Sequence, residues 1–294
     1  MNLKVLEWFW RLELLTKLVR PAITYGTNDS TVPEAWHKKL WIVPQDSTRN
    51  ILLFSAIVLA HSWVEDLSVV SKDGLQLGKS GYARGNVLRS DPAFNDAAMT
   101  YMLPTAGAQL LPNDPICAPA QRQSIQTSGS PVLQAAPGDL VRLRYQENGH
   151  VTLLSTTPGK PSSGRVHIYG TLSPSAEDTL VGIHKTWNAQ GAGGNKRGWL
   201  LGVFDFDDGR CFQVNDSPIS QQRQDKYGHP PDPAQGTDLW CHNMITIPDT
   251  IDNTLTLYWV WDWPSYPASA DEKQEIYTTC IDIEIKPNYS SSCY

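Results

Sequence analysis

The chain has 294 residues, 40% of them hydrophobic and 18% charged, with a formal net charge of −6. That is enough apolar material for one large all-β domain or two small domains. The acidic balance argues against nucleic acid as a partner, which needs clustered Lys and Arg, and no apolar run reaches the ~20 residues of a membrane-spanning helix.

The first fifty residues differ in character from the rest. The stretch LEWFWRLELLTKLVRPA has the pattern of a short amphipathic helix that ends at Pro21. Residues 51–60, ILLFSAIVLA, then form an uninterrupted apolar segment with Arg49 just before it. This segment matches the apolar core of a signal peptide, and Ala60 supplies the small residue that cleavage requires. The same run is also the pattern of a buried strand or helix. Signal sequences begin within about 15–30 residues of their cleavage site. The upstream part of the leader, to about residue 49, is therefore expected to be an artefact of the gene's assigned start. Cutting after Ala60 would leave residues 61–287 as the folded domain and 288–294 as a short tail.

From His61 onward the pattern is that of strands. LVRLRYQ (140–146) sets Val141, Leu143 and Tyr145 on one face and Arg142 and Arg144 on the other. LTLYWVWDW (255–263) aligns Leu255, Leu257, Trp259 and Trp261, and IYTTCIDIEI (276–285) aligns Tyr277, Ile281, Ile283 and Ile285. Such alternation marks strands with one face buried. The intervening segments TPGKPSSG, NAQGAGGNKRG and GHPPDPAQG read as turns and long loops. No repeat of fixed period is present. The expected architecture is an all-β, immunoglobulin/fibronectin-like sandwich of about seven or eight strands with long loops.

The five cysteines, Cys117, Cys211, Cys241, Cys280 and Cys293, contain no CxxC pair. In an exported chain they read as two disulfides and one cysteine left over. Sequons at Asn215 and Asn288 permit N-glycosylation, although Pro218 weakens the first. Together with the apolar leader these features predict a secreted, extracellular protein.

HExxH, GxSxG and P-loop signatures are absent. Three separated stretches remain. His61 directly follows the expected cleavage site, His150 lies where the strand within AAPGDLVRLRYQENGHVT ends, and EIYTTC carries Glu275, Tyr277 and Cys280. Together they resemble lytic polysaccharide monooxygenases, most closely the secreted fungal members and related domains of unassigned activity. The likeness runs from His61 to about Ile285 and rests on short motifs. It implies one copper ion held in a histidine brace by the amino and ring nitrogens of His61 and by His150, with Tyr277 as the distant axial group. It implies a bond from Cys280 back to Cys117, which leaves Cys211–Cys241 by elimination and Cys293 free or intermolecular.

Copper(II) favours tetragonal nitrogen coordination. An α-amino group, with a pKa near ~8 against ~10.4 for lysine, gives up its proton to a metal at modest cost near neutrality. Glu275 and Tyr277, two residues apart on one strand, would share a face. That makes Glu275 a candidate to handle a proton beside the metal, at a position where the family carries glutamine or glutamate. Each residue also has an ordinary reading: His61 at a strand edge, His150 in a loop, Tyr277 in core packing.

The resemblance predicts a copper-dependent monooxygenase or peroxygenase that oxidises C–H bonds in a polysaccharide or cell-wall glycan. It would be a monomer drawing on an external electron donor, without stable membrane insertion. Trp63, Tyr82 and Trp187 are candidates for stacking on sugar rings. The alternative is a non-catalytic histidine-brace copper-binding or cell-wall protein of the same fold.

Overall fold

The computed structural model describes residues 61–157, 159–249, 251, 253–264 and 274–286. The amphipathic and apolar segments of the leader, the Asn288 sequon and Cys293 lie outside the described residues. Among those described are ten strands: β1 (Val64–Val70), β2 (Gln76–Gly81), β3 (Met102–Leu103), β4 (Leu133–Ala135), β5 (Leu140–Tyr145), β6 (Arg165–Thr171), β7 (Gly198–Asp205), β8 (Cys241–Thr246), β9 (Leu255–Asp262) and β10 (Ile276–Ile285). One sheet has the order β2-β1-β5-β8. The other runs β3-β10-β9-β6-β7, with β4 also paired to β10. All pairings are antiparallel except β4 with β10. The fold is thus an all-β sandwich, with the short strands β3 and β4 raising the count above the expected seven or eight.

Alternation along the strands builds the core. Val141, Leu143 and Tyr145 from one sheet meet Leu257, Trp259, Trp261, Tyr277 and Ile281 from the other in a single buried cluster. The prediction of one buried face holds for β5, where Arg142 and Arg144 are only half-buried, but fails for β9. The opposite face of β9, with Tyr258 and Val260, is covered by a second cluster that includes Ile116, Leu180, Ile183 and Trp187. The period-two pattern records which residues share a face. It does not record whether a loop covers the other one. Here the covering loop is fastened to β10 by the Cys117–Cys280 disulfide, while Cys211–Cys241 joins the segment after β7 to the start of β8.

Three short helices complete the described fold: α1 (Asp96–Met99), α2 (Leu180–Ile183) and α3 (Pro218–Tyr227). In α3 the Ser217 hydroxyl accepts from the Ser220 amide at 3.1 Å, Pro218 begins the helix, and Gly228 closes it. The Asn215 sequon is engaged in this cap region. Its side-chain amide donates to Thr152 and to the Gln213 carbonyl, both at 2.9 Å.

Candidate metal centre

His61 enters just ahead of β1 and is held on two sides. Asn148 donates to its carbonyl at 2.8 Å, and its ring Nε2 lies 2.9 Å from a carboxylate oxygen of Asp96, the first residue of α1. The ring stacks on Trp63 with centroids 6.1 Å apart. The next residues fasten the segment further: the Ser62 hydroxyl donates to the Gln146 carbonyl at 2.9 Å, and the Val64 amide donates to the Thr279 hydroxyl on β10 at 3.2 Å.

His150 sits on the turn that follows β5. Asn148 and Gly149 take positive φ of 45° and 79°, a reversal that glycine makes without strain. The turn closes on Glu147, which is 2% exposed. Its carboxylate accepts from the Val151 amide at 2.8 Å, the Thr152 amide at 3.3 Å and the Gln213 amide at 2.8 Å, and also from the Thr152 hydroxyl. Glu147→Gln turns one acceptor oxygen into a donor facing these donors, each orphan costing about 1–3 kcal/mol. The expected result is a stability loss of that size in urea denaturation. An unchanged midpoint would show that the carboxylate does not hold the turn.

The His150 ring is packed between aromatic neighbours, 4.6 Å from Trp263 and 5.2 Å from Trp261 by centroid. Neither ring nitrogen has a hydrogen-bond partner among the described residues. Burial, then the positive charges of His61 and Lys160, pushes its pKa down to about 3. His150 is therefore a neutral imidazole with a lone pair available near neutral pH. His184, by contrast, has Tyr169 at 3.2 Å and Asp262 at 3.4 Å on its two nitrogens.

Tyr277 faces Trp261 across the β9–β10 pair, with rings stacked at 4.9 Å. Burial, then the Glu275 carboxylate, pushes its hydroxyl well above the ordinary tyrosine value. Glu275 stands one residue before β10, not on the strand as the spacing predicted, and is about a quarter exposed. Its carboxylate lies 3.4 Å from the Lys160 ammonium. Lys160 also donates to the Trp263 carbonyl at 3.0 Å and lies 4.2 Å from the centre of that ring.

His150 and Tyr277 both pack on Trp261, His61 lies within electrostatic reach of His150, and Glu275 lies within reach of Tyr277. The sequence reading did not single out Asp96, Glu147 or Lys160. Asp96 had a local signal, since Asn95-Asp96 is a helix-start pair. Glu147 and Lys160 had none. Of the three aromatic residues expected to stack on sugars, Trp63 and Trp187 are buried at 1% and 2% exposure, so neither offers a ring face to a polymer. Tyr82 is half-buried.

The donor set fits a copper ion in one respect specific to this structure. His150 is buried with unpartnered ring nitrogens, and the His61 ring is already oriented through Nε2 by a carboxylate, the outer-shell arrangement typical of metal-binding histidines. Two imidazoles make an incomplete set for tetragonal copper. Among the described residues no third histidine, cysteine or carboxylate joins them; the one convergent triplet, Asp208 with Cys211 and Cys241, contains a disulfide.

These features define a two-sheet, all-β sandwich. The chain belongs to the family described as a domain of unknown function (DUF7492), whose family model matches residues 58–293. No curated protein matches it. Similar solved structures include CvAA9A, with 10% identity over 79% of this chain and 88% of that one and a TM-score of 0.34. A cellulose-active polysaccharide monooxygenase from M. thermophila gives 11% identity, coverage of 79% and 82%, and a TM-score of 0.33. The cellulose-active CelS2, solved with copper, gives 12% identity, coverage of 61% and 69%, and a TM-score of 0.30. Likenesses at these values assign neither ligand nor reaction to this chain.

Proposed function

We propose that this protein is exported, cut between Ala60 and His61, and binds one copper ion through the amino and ring nitrogens of His61 and one ring nitrogen of His150. We read it as a secreted monooxygenase or peroxygenase that oxidises C–H bonds of a polysaccharide with electrons from an external donor. The observation that carries the reading is His150, a buried neutral imidazole with no hydrogen-bond partner for either nitrogen. Leaving a buried polar atom unpaired costs about 1–3 kcal/mol, a cost that a ligand bond to metal would offset. Two disulfides, and the absence among the described residues of any helix long and apolar enough to cross a membrane, accord with export.

Copper held in such a nitrogen set supplies one-electron chemistry toward dioxygen or peroxide. The protein's part is orientation and proton control. Asp96 holds the His61 ring through Nε2. Trp261 and Trp263 exclude water around His150. The raised pKa keeps the Tyr277 proton on its oxygen at neutral pH, so a metal held here would meet a neutral phenol rather than a phenolate. Glu275, partly exposed and beside Lys160, is placed to take up or deliver a proton.

The test is a Cu(II) titration of protein beginning at His61, followed by electron paramagnetic resonance. One equivalent should bind with a tetragonal nitrogen signal. Tyr277→Phe should bind nearly as tightly, whereas Glu275→Ala should keep its copper and lose peroxide turnover with a reductant. Failure of the parent protein to bind copper saturably would end the reading. The burial of Trp63 and Trp187 favours a second reading, a copper-binding protein without polymer chemistry. Tight copper binding with no peroxide consumption would select it.

A further inference from the structure

The outer face of the four-stranded sheet holds a separate feature, independent of the copper reading. A cavity of about 430 Å³ opens there, lined by Lys72, Arg142, Arg144, Arg210, Trp240 and His242 among others. Alternation along β5 and β8 puts Arg142, Arg144 and His242 on this face while Val141, Leu143 and Ile245 enter the core.

Six of the nine arginines among the described residues pair with a carboxylate; Arg122, Arg142 and Arg210 do not. Arg84 pairs with Asp282 at 2.6 Å, Arg89 with Glu65 at 2.5 Å, Arg144 with Asp66 at 2.6 Å and Arg223 with Asp207 at 2.7 Å, and Arg197 pairs with Asp178. Arg142 is half-buried and has no carboxylate within ion-pair distance among the described residues. Its contacts are long and go to neutral oxygens: Ser68 Oγ at 3.2 Å, and Gly74 O and Gln76 Oε1 both at 3.4 Å. Its Nε is buried and unpartnered. A guanidinium carries five donors in a planar fork shaped for oxyanions; here three make long contacts to neutral oxygens and the buried Nε makes none.

The acids around it are not all available. Asp66 is held by both Arg144 nitrogens, at 2.9 and 2.6 Å. Asp208 is held by the His242 ring at 2.9 Å and by the amides of Arg210 and Cys211 at 2.8 Å. Asp73, also in the lining, is exposed. Lys72 and Arg210 enter no ion pair among the described residues, and Arg210 lies 4.9 Å from the Tyr227 ring centre. Trp240 backs the Arg144 guanidinium at 5.2 Å and gives the cavity an apolar wall.

We infer that this cavity is an oxyanion site, built to take a small carboxylate or phosphate whose oxygens complete the coordination of Arg142, with Lys72 and Arg210 at its rim. A charged oxygen on the guanidinium replaces long contacts to neutral oxygens by shorter and stronger ones. The neighbouring cations lower the cost of bringing a negative charge to the sheet.

The site is tested on the full chain by calorimetric titration with inorganic phosphate and, separately, sodium acetate, at constant ionic strength in chloride. Saturable one-to-one binding of either anion is expected, with a Kd of about 1 mM or tighter. Phosphate alone or acetate alone would identify which oxyanion is preferred. Arg142→Gln should weaken binding about tenfold or more, while Lys79→Gln, exposed and outside the cavity, should not. In the unaltered protein the amide resonances of Gly74, Arg142 and His242 should shift along the same isotherm, a readout that does not depend on the variant folding. Absence of saturable binding of both anions, wild-type affinity in Arg142→Gln, or shifts confined to other regions would overturn the assignment.

Discussion

Protein that keeps Ala60 joined to His61 is expected to bind copper more than about 100-fold more weakly than protein beginning at His61. Changes in groups that merely orient a ligand cost about 10–100-fold in metal affinity, and here a ligand itself is removed. In the joined chain the His61 nitrogen is an amide, whose lone pair is delocalised into the carbonyl. In the cut chain it is an amine with a pKa near ~8. The Asn148 bond to the His61 carbonyl and the Ser62 bond to the Gln146 carbonyl lie downstream of the cut. Two proteins that differ only in Ala60 should therefore unfold at the same denaturant concentration and separate only in Cu(II) titration and in their resonance spectra. Equal affinities with the same tetragonal signal would remove the amine from the site, and with it the importance of where the leader is cut.

Replacing His150 by leucine should separate function from stability in opposite directions. Copper binding should fall by more than about 100-fold, since on the proposed reading an imidazole ligand is lost. The metal-free variant should be more stable than the parent by about 1–3 kcal/mol, because two buried nitrogens without hydrogen bonds give way to methyl groups among Trp261 and Trp263. The gap should widen in acid. The unfolded parent takes up a proton at His150 below pH ~6.5, while the folded parent refuses it until about pH 3. Stability of the metal-free parent therefore falls as pH drops from about 6.5 toward 3, and this part of the loss is absent from the leucine variant. Urea denaturation at pH 7 and pH 4, with chelator present, measures both differences. A leucine variant less stable than the parent at both pH values would mean that the His150 ring makes a packing contribution larger than its unpaired nitrogens cost.

Much of the sandwich was legible because it depends on local alternation. Val141, Leu143 and Tyr145, or Leu257, Trp259 and Trp261, declare a common face by spacing alone, and those faces form the core. What lies on the other side of a strand depends on distant chain. The loop carrying Ile116 and the helix carrying Leu180 cover Tyr258 and Val260, and nothing near residue 258 announces them. Trp63 and Trp187 suggested a sugar platform for the same reason, that a tryptophan's type does not state its depth. At the site, His61, His150 and Tyr277 were visible as chemistry-bearing side chains in three motifs. Asp96 and Lys160 act across loops onto those motifs, and Glu147, within the His150 motif, is held in part by the distant Gln213 amide; such cross-loop contacts have no spacing rule. The α3 helix could have been read from Ser217, Pro218 and Gly228. It lacks an apolar stripe, so the periodicity that revealed the strands was silent there.

The two disulfides are nested, Cys211–Cys241 inside the span of Cys117–Cys280. Every peptide bond between residues 211 and 241 is thus enclosed by both, including those of the Pro-rich loop GHPPDPAQG after α3. A protease that nicks this loop once would leave a two-chain molecule of nearly unchanged mass and unchanged sheet pairing. On a gel run without thiol it would migrate as if whole, and only reductant would release the pieces. Intactness of this protein after proteolysis should therefore be judged after reduction.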